Sequence, residues 1–148
     1  MDTKKIRQIF FDFFENKGHS IIESAPITVK DDPTLMFTNA GMNQFKNFFL
    51  SIDTPEFSKV TNSQKCLRVS GKHNDLDEVG HDTYHHTMFE MLGNWSFGDY
   101  SQEKAIDLAW EFLIKKCNLE IDRIYVTVFE GDETESLVKD IDSFNFWT

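Results

Sequence analysis

The spacing of apolar positions predicts an amphipathic helix at the start of the chain. Its stripe recurs every three to four residues and consists of Ile6, Ile9, Phe10, Phe13 and Phe14. Such spacing places the side chains on one face of a helix. A glycine follows the last turn at position 18, where a C′ glycine can end a helix. We therefore expect a first helix that buries its phenylalanines.

Short extended segments separated by turn residues are predicted next. Strands are expected at 20–25 and at 34–38, and the turn between them contains Asp31-Asp32-Pro33. A short helix that begins near Asn39 and includes Phe45 should follow. This part of the chain therefore mixes both kinds of element.

The middle of the chain predicts two antiparallel strands joined by a long polar loop. Residues 64–69 form the first strand, and the apolar and aromatic run at 85–97 forms the returning strand. The connection between them is rich in Gly, His, Asn and Asp. We therefore expect a long-looped hairpin.

The last third predicts a helix, a strand and a second helix. Ser101 is a suitable N-cap residue for the first helix, and residues 123–129 alternate as a half-buried strand does. The inward face of the last helix is expected to consist of Leu137, Ile141 and Phe144. Because strands and helices mix without regular βαβ alternation, we predict the α+β class, with an antiparallel sheet flanked by helices.

The composition is that of a globular protein. Of 148 residues, 40% are hydrophobic, 14% aromatic and 27% charged, which excludes a disordered chain. No apolar run approaches the roughly 18–20 residues that cross a bilayer, and no secretory signal is apparent. The two cysteines, Cys66 and Cys117, provide no disulfide framework. We therefore expect a cytoplasmic protein that does not enter a membrane.

The net charge of −10 argues against a chain that binds nucleic acid through bulk electrostatics. Acidic residues are concentrated at 119–142, whereas Lys59, Lys65, Arg68 and Lys72 lie close together in the middle of the chain. A local anion site is therefore compatible with the acidic total.

A group of histidines suggests a metal site, but its spacing does not support one. His81, His85, His86 and Glu90 lie within ten residues, and Cys66 is near in sequence. No H-E-x-x-H or C-x-x-C spacing is present, and zinc sites depend on such spacing. We expect these groups to form hydrogen bonds and no metal to be held by them. Cys66 is expected to pack among apolar neighbours rather than act as a nucleophile.

The predicted hairpin carries the strongest candidate chemistry. Arg68 lies near the end of the first strand, and the loop after it contains Lys72. A guanidinium, an ammonium and exposed backbone amides in one loop form a plausible phosphate site. Strand alternation places His86 and Glu90 on one face and Phe89 on the other, so the returning strand offers an aromatic platform and polar groups for a base. The alternative is a solvated loop over an aromatic core, and the pattern alone leaves both open.

Three strings in this region closely resemble signatures of alanyl-tRNA synthetases. The string at 32–46 is DPTLMFTNAGMNQFK and resembles the first signature. The strings QKCLR at 64–68 and GKHNDL at 71–76 resemble the strand and loop of motif 2. The returning strand is matched by HHTMFEMLGNWSFGDY at 85–100. The matches occur in the family's order and extend over nearly the whole chain.

The resemblance implies the catalytic core of a class II aminoacyl-tRNA synthetase. Members of this family activate alanine with ATP and Mg²⁺ and then transfer the alanyl group to tRNA(Ala). Zinc belongs to their editing domain, outside this chain, and a homo-oligomer is compatible with the resemblance. Arg68 matches the motif 2 arginine that binds the α-phosphate and the substrate carboxylate, which makes it the expected catalytic residue. The further residues expected to bind ATP or substrate are His86, Lys72, His73, Asp75 and Glu90.

The sequence also departs from the family pattern. Tyr84 stands where many bacterial members have arginine, and we interpret this as a subfamily feature. Motif 3 and the regions for tRNA recognition and editing do not occur in residues 1–148, and the given sequence stops within an apolar pattern at 146–148. We therefore expect the N-terminal portion of a catalytic domain, inactive in aminoacylation by itself. The rival hypothesis is a short paralogue that binds nucleotide or a protein partner without catalysis.

Overall fold

The computed structural model describes residues 2–30, 34–69 and 74–148. The chain divides into two compact units, Met1–Phe97 and Gly98–Thr148.

Helix α1 (Thr3–Asn16) begins the first unit, as the apolar stripe predicts. Asp2 caps its N-terminus, because the carboxylate Oδ1 accepts a hydrogen bond of 2.8 Å from the backbone N–H of Lys5. Gly18 follows the last turn with φ +83°, a conformation that glycine adopts without strain. Phe10, Phe13 and Phe14 are buried, so the predicted helix and its inward face are confirmed.

The described part of the first unit contains a three-stranded sheet in the order β1-β2-β3. Its strands are β1 (Ser20–Ile21), β2 (Lys59–Leu67) and β3 (Met88–Ser96). The antiparallel hairpin is confirmed, because β2 and β3 pair over their whole lengths. The short strand β1 joins β2 in parallel, so the sheet is mixed within an α+β fold.

Two predicted strands are much shorter than expected. Beyond β1, the amide of Gln64 bonds both backbone groups of Ala25, at 2.9 and 3.0 Å, and so replaces the ladder that a strand at 20–25 would need. The strand expected at 34–38 is reduced, in the residues described there, to an isolated bridge that joins Phe37 to Thr28. The turn predicted at Asp31-Asp32-Pro33 lies outside the described residues.

The helix expected near Asn39 begins later than predicted. The side-chain Oδ1 of Asn43 accepts hydrogen bonds from the backbone N–H groups of Asn39 and Ala40, at 3.0 and 2.8 Å, and holds them in a turn. A 3-10 turn at Asn43–Phe45 then leads into the short helix α2 (Lys46–Phe49).

The sheet is covered on both faces within this unit. Helix α1 contacts β2 and β3 on one face. On the other face Phe45 packs against Trp95 and Phe97, with ring centroids 5.7 and 5.6 Å apart. The indole of Trp95 also donates a 3.0 Å hydrogen bond to the buried Asn62. The hairpin is thus supported from both sides.

The second unit contains helix α3 (Gln102–Trp110), a π-helical continuation (Glu111–Lys116) and helix α4 (Ile141–Trp147). Ser101 occupies the predicted N-cap position of α3, without a side-chain capping hydrogen bond. Helices α3 and α4 contact each other, and Leu108 is buried.

Two predictions for this unit are wrong. Residues 123–129 form no strand, since the described segment pairs with no other strand and Tyr125 is 91% exposed. Leu137, Ile141 and Phe144 are about half exposed rather than inward. A backbone-bonded turn between Asp132 and Leu137 keeps Leu137 out of the helix, which begins at Ile141.

Within the described ranges, no helix is both long enough and apolar enough to cross a bilayer.

Candidate active site

Arg68 is held by backbone hydrogen bonds at the end of the hairpin. It directly follows β2, and its N–H donates to the carbonyl of Thr87 on the returning chain at 2.8 Å. Its own carbonyl accepts a longer hydrogen bond, of 3.4 Å, from the N–H of Asp75. The position of the Arg68 backbone therefore depends on the path that the chain takes from Asp75 to Thr87.

The Arg68 side chain is oriented by two further contacts. Its Nε donates a 3.0 Å hydrogen bond to the carbonyl of Asn39, and its Cζ lies 5.1 Å from the centroid of the Phe89 ring. Its terminal nitrogens form no hydrogen bond or ion pair with another described residue. A guanidinium fixed at Nε, with its terminal N–H groups available, can form paired hydrogen bonds to a phosphate or carboxylate.

The thiol next to this arginine is a packing group. Cys66 is fully buried, and its Sγ lies 3.5 Å from the carbonyl of Gln64. Burial raises the pKa of the Cys66 thiol, an effect that the Arg68 cation partly opposes. A buried thiol whose pKa is raised is poorly suited to nucleophilic attack, which agrees with the packing role expected for it.

The described part of the loop forms a helical turn followed by an aspartate-centred turn. The N–H groups of Glu78 and Val79 donate to the carbonyl of Asp75, at 3.2 and 3.1 Å. At the end of the loop, the carboxylate of Asp82 bonds to His85 through both the backbone N–H and the ring Nδ1. The loop thus returns to β3 through a compact, hydrogen-bonded path.

Electrostatic pairing accompanies this turn. Hydrogen bonds, first that from the backbone of His85, lower the pKa of Asp82 to about 2. The hydrogen bond with Asp82 raises the pKa of His85, and the carboxylates of Asp75 and Glu78 raise it further. The contact with Asp82 therefore favours the protonated form of the His85 imidazole.

Glu90 lies on the opposite face of the sheet from Arg68. Its carboxylate accepts two hydrogen bonds of 2.8 Å from the guanidinium of Arg7 on α1 and one of 2.7 Å from Ser63. The hydrogen bond from Arg7, followed by that from Ser63, lowers the pKa of Glu90. A cavity of about 430 Å³ between α1 and β3 adjoins this ion pair and is not lined by Arg68.

The structure thus brings together only some of the predicted site residues. Arg68 and Asp75 are bonded through their backbones, and His86 is exposed just before β3. Glu90 points toward α1 and not toward Arg68. The predicted alternation of Phe89 and Glu90 between the two faces is confirmed. Lys72 and His73 lie outside the described residues.

Asn39 and Asp82 support the site around Arg68 but were not predicted from the sequence. Asn39 contributes a backbone carbonyl, which no side-chain pattern reveals. Asp82 accepts hydrogen bonds from the backbone N–H groups of Tyr84 and His85, two and three residues further on. This spacing is typical of an aspartate turn, so the sequence could have indicated it.

In the part of the chain that the structure describes, no group of three His, Cys, Asp or Glu side chains is arranged to hold a metal ion. Cys66 is enclosed in the sheet, and His85 is engaged by Asp82.

An α+β core with an anchored arginine at the end of a two-stranded hairpin is the arrangement expected of a class II aminoacyl-tRNA synthetase. A family model described as tRNA synthetases class II (A) matches residues 5–148, and the chain belongs to this family.

Curated relatives narrow the similarity to the ligases for alanine. The chain is 63% identical to the alanine–tRNA ligase of Cytophaga hutchinsonii and 59% identical to that of Bacteroides thetaiotaomicron. It is 58% identical to that of Christiangramia forsetii. Each match covers 99% of this chain but only 17% of the relative. These matches confirm the resemblance to alanyl-tRNA synthetases.

Proposed function

We propose that this chain is the N-terminal part of the catalytic domain of an alanine–tRNA ligase and supplies the arginine that binds the reacting groups in alanine activation. The observation that carries the proposal is the Arg68 guanidinium, bonded at Nε to the Asn39 carbonyl and lying against Phe89. The identity of 63% to a ligase of this specificity supports it and disfavours the rival hypothesis of a non-catalytic paralogue.

The proposed reaction has two steps. The carboxylate oxygen of alanine attacks the α-phosphorus of ATP, a new P–O bond forms, and the bond to the departing pyrophosphate breaks. The alanyl group of the resulting adenylate then passes to the terminal ribose of tRNA(Ala). Negative charge crowds around the α-phosphorus during the first step, so a fixed cation there stabilises the transition state more than the separated substrates.

Arg68 is suited to that role because its orientation precedes binding. The terminal N–H groups can donate to an α-phosphate oxygen and to the alanine carboxylate, while Nε remains on Asn39. Holding two anions against one guanidinium reduces their repulsion and brings the attacking oxygen toward phosphorus. Binding and orientation of the two anions are therefore the chemical contribution that we assign to Arg68.

The other predicted residues are assigned by the same reasoning. We propose that exposed His86 contacts ATP and that Lys72, His73 and Asp75 line its approach through the loop. Glu90 is engaged by Arg7 on the other face, so we assign it the task of fixing α1 to β3 in place of the expected contact with substrate.

Mg²⁺ supplies charge neutralisation when it is bound to the phosphates of ATP. The described residues offer no cluster of three ligating side chains for it. We further propose that alanine and tRNA(Ala) are the partners, that the protein acts in the cytoplasm, and that residues 1–148 alone do not aminoacylate.

The test is alanine-dependent ATP–pyrophosphate exchange by the full-length gene product. Arg68→Ala should lower exchange by about 100-fold or more, because charge developing near the α-phosphorus loses its partner. Arg123→Ala is the matched control, since that arginine is exposed and lies 3.7 Å from Glu120 in the second unit. Near-normal exchange by the Arg68 variant would remove the proposed role of this residue.

A further inference from the structure

The chain that returns to Arg68 is anchored at Asp82. The carboxylate Oδ1 of Asp82 accepts hydrogen bonds from the backbone N–H groups of Tyr84 and His85, at 3.0 and 2.8 Å. Its Oδ2 contacts the ring Nδ1 of His85. One side chain thus fixes both the backbone and the side chain of the turn that precedes β3.

This turn lies next to the arginine along the chain path. Only His86 separates His85 from Thr87, whose carbonyl receives the N–H of Arg68 at 2.8 Å. Two residues after Thr87, Phe89 lies beneath the Arg68 guanidinium. A shift of the turn would therefore move both the backbone partner and the aromatic partner of Arg68.

Asp82 is also well placed electrostatically. The groups that face His85 are the carboxylates of Asp82, Asp75 and Glu78, and the Tyr84 ring lies 4.9 Å from the His85 ring. The carboxylates nearest His85 thus belong to the segment 75–82, and the N–H of Asp75 in the same segment donates to the Arg68 carbonyl at 3.4 Å.

We propose that Asp82 is a positioning residue for the nucleotide site: through the turn at 82–85 it sets the path of the returning strand and hence the placement of Arg68 and His86. This inference rests on the proposed function, because it concerns the same arginine. Asp82 is not assigned a contact with substrate. Its effect is transmitted through Thr87 and Phe89.

The experiment compares two variants in the full-length gene product by alanine-dependent ATP–pyrophosphate exchange. Asp82→Ala removes both acceptor oxygens and should reduce kcat by about ten- to 100-fold, the scale expected when reacting groups are misplaced by about 1 Å. Asp82→Asn keeps an oxygen for the Tyr84 and His85 N–H groups and should retain activity within about threefold, since asparagine replaces aspartate well in such turns.

The control is Asp77→Ala, an exposed aspartate in the same loop, which should leave exchange unchanged. Thermal unfolding of each variant separates positioning from a loss of fold, and the rescue by asparagine must appear at equal thermal stability. If Asp82→Ala retains wild-type kcat, or if Asp82→Asn is as impaired as Asp82→Ala, the positioning role is overturned while the proposed function stands. Absence of exchange in the wild type would instead overturn the proposed function, and this inference with it.

Discussion

The Arg68 guanidinium lies over the ring of Phe89, with 5.1 Å between Cζ and the ring centroid. The two residues belong to opposite arms of the hairpin, one just after β2 and the other near the start of β3. The neighbouring Glu90 projects to the other face and pairs with Arg7. The hairpin therefore separates its chemistry by face: the arginine–aromatic pair on one side and the ion pair with α1 on the other.

The Phe89 ring should contribute to activity through Arg68. Phe89→Leu removes the aromatic face beneath the guanidinium, a contact worth about 0.5–2 kcal/mol, so exchange should fall by about two- to 30-fold. Phe89→Tyr keeps the ring and should restore most of the activity. Met88→Leu is the neighbouring control, because alternation along β3 places Met88 on the face of Glu90, opposite Phe89. Equal activity of the leucine and tyrosine variants would show that Arg68 does not need the ring.

The Arg7–Glu90 pair should make stability depend on acidity. The pKa of Glu90 in the folded chain is lowered from its ordinary value of 4.5, so its contribution is complete above that value and is lost as the pH falls through the folded pKa. Between the ordinary pKa of 4.5 and the lower pKa of the folded chain, the unfolded chain binds more protons than the folded chain. The free energy of unfolding must therefore decrease as the pH falls through this range.

Urea denaturation of the chain at a series of acidic pH values measures this effect. Glu90→Gln should lower stability near neutral pH and flatten the acid dependence. Glu15→Gln, at an exposed glutamate on the same helix as Arg7, should leave the acid dependence unchanged. An unaltered slope in Glu90→Gln would contradict a stabilising role for the pair.

Gly93 should not tolerate a side chain. A Cβ at this position would lie 2.6 Å from Cζ2 and Nε1 of Trp95, whose indole is held by a hydrogen bond to Asn62. Gly93→Ala should therefore cost about 1–3 kcal/mol in the free energy of unfolding, the usual range for overpacking. The same change in a Trp95→Leu background should cost less, because the obstructing ring is gone. A full additional cost in that background would mean that the clash is not the cause.

Local sequence patterns correctly predicted the elements whose hydrogen bonds join residues close in sequence or strands that follow one another. The stripe from Ile6 to Phe14 identified α1, because a helix completes its backbone hydrogen bonds within itself. The hairpin was also foreseen, since β2 and β3 are consecutive and pair with each other. Residues 123–129 show the limit: alternation indicates a strand, but a strand needs a partner, and the pattern does not state whether one is present.

In the candidate site, too, features set by the local sequence were predictable and features set by the tertiary fold were not. Arg68 was identifiable because a guanidinium beside a polar loop already suggests anion binding, and the resemblance assigned it a role. Glu90 was expected to bind ATP or substrate. Alternation along β3, however, places Glu90 on one face and Phe89 on the other, and Arg68 lies against Phe89. The Asn39 carbonyl was beyond prediction, because its partner lies 29 residues away and is chosen by the tertiary fold.

The most direct test of the proposed function is the amino-acid dependence of ATP–pyrophosphate exchange by the full-length gene product. We expect alanine to support the most rapid exchange and amino acids with much larger side chains to support little or none. We also expect the alanine-dependent signal to be lost in Arg68→Ala while the Arg123→Ala control keeps it. Faster exchange with another amino acid than with alanine would contradict the assigned specificity. Absence of exchange with every amino acid, in a folded full-length protein, would contradict the account at its centre.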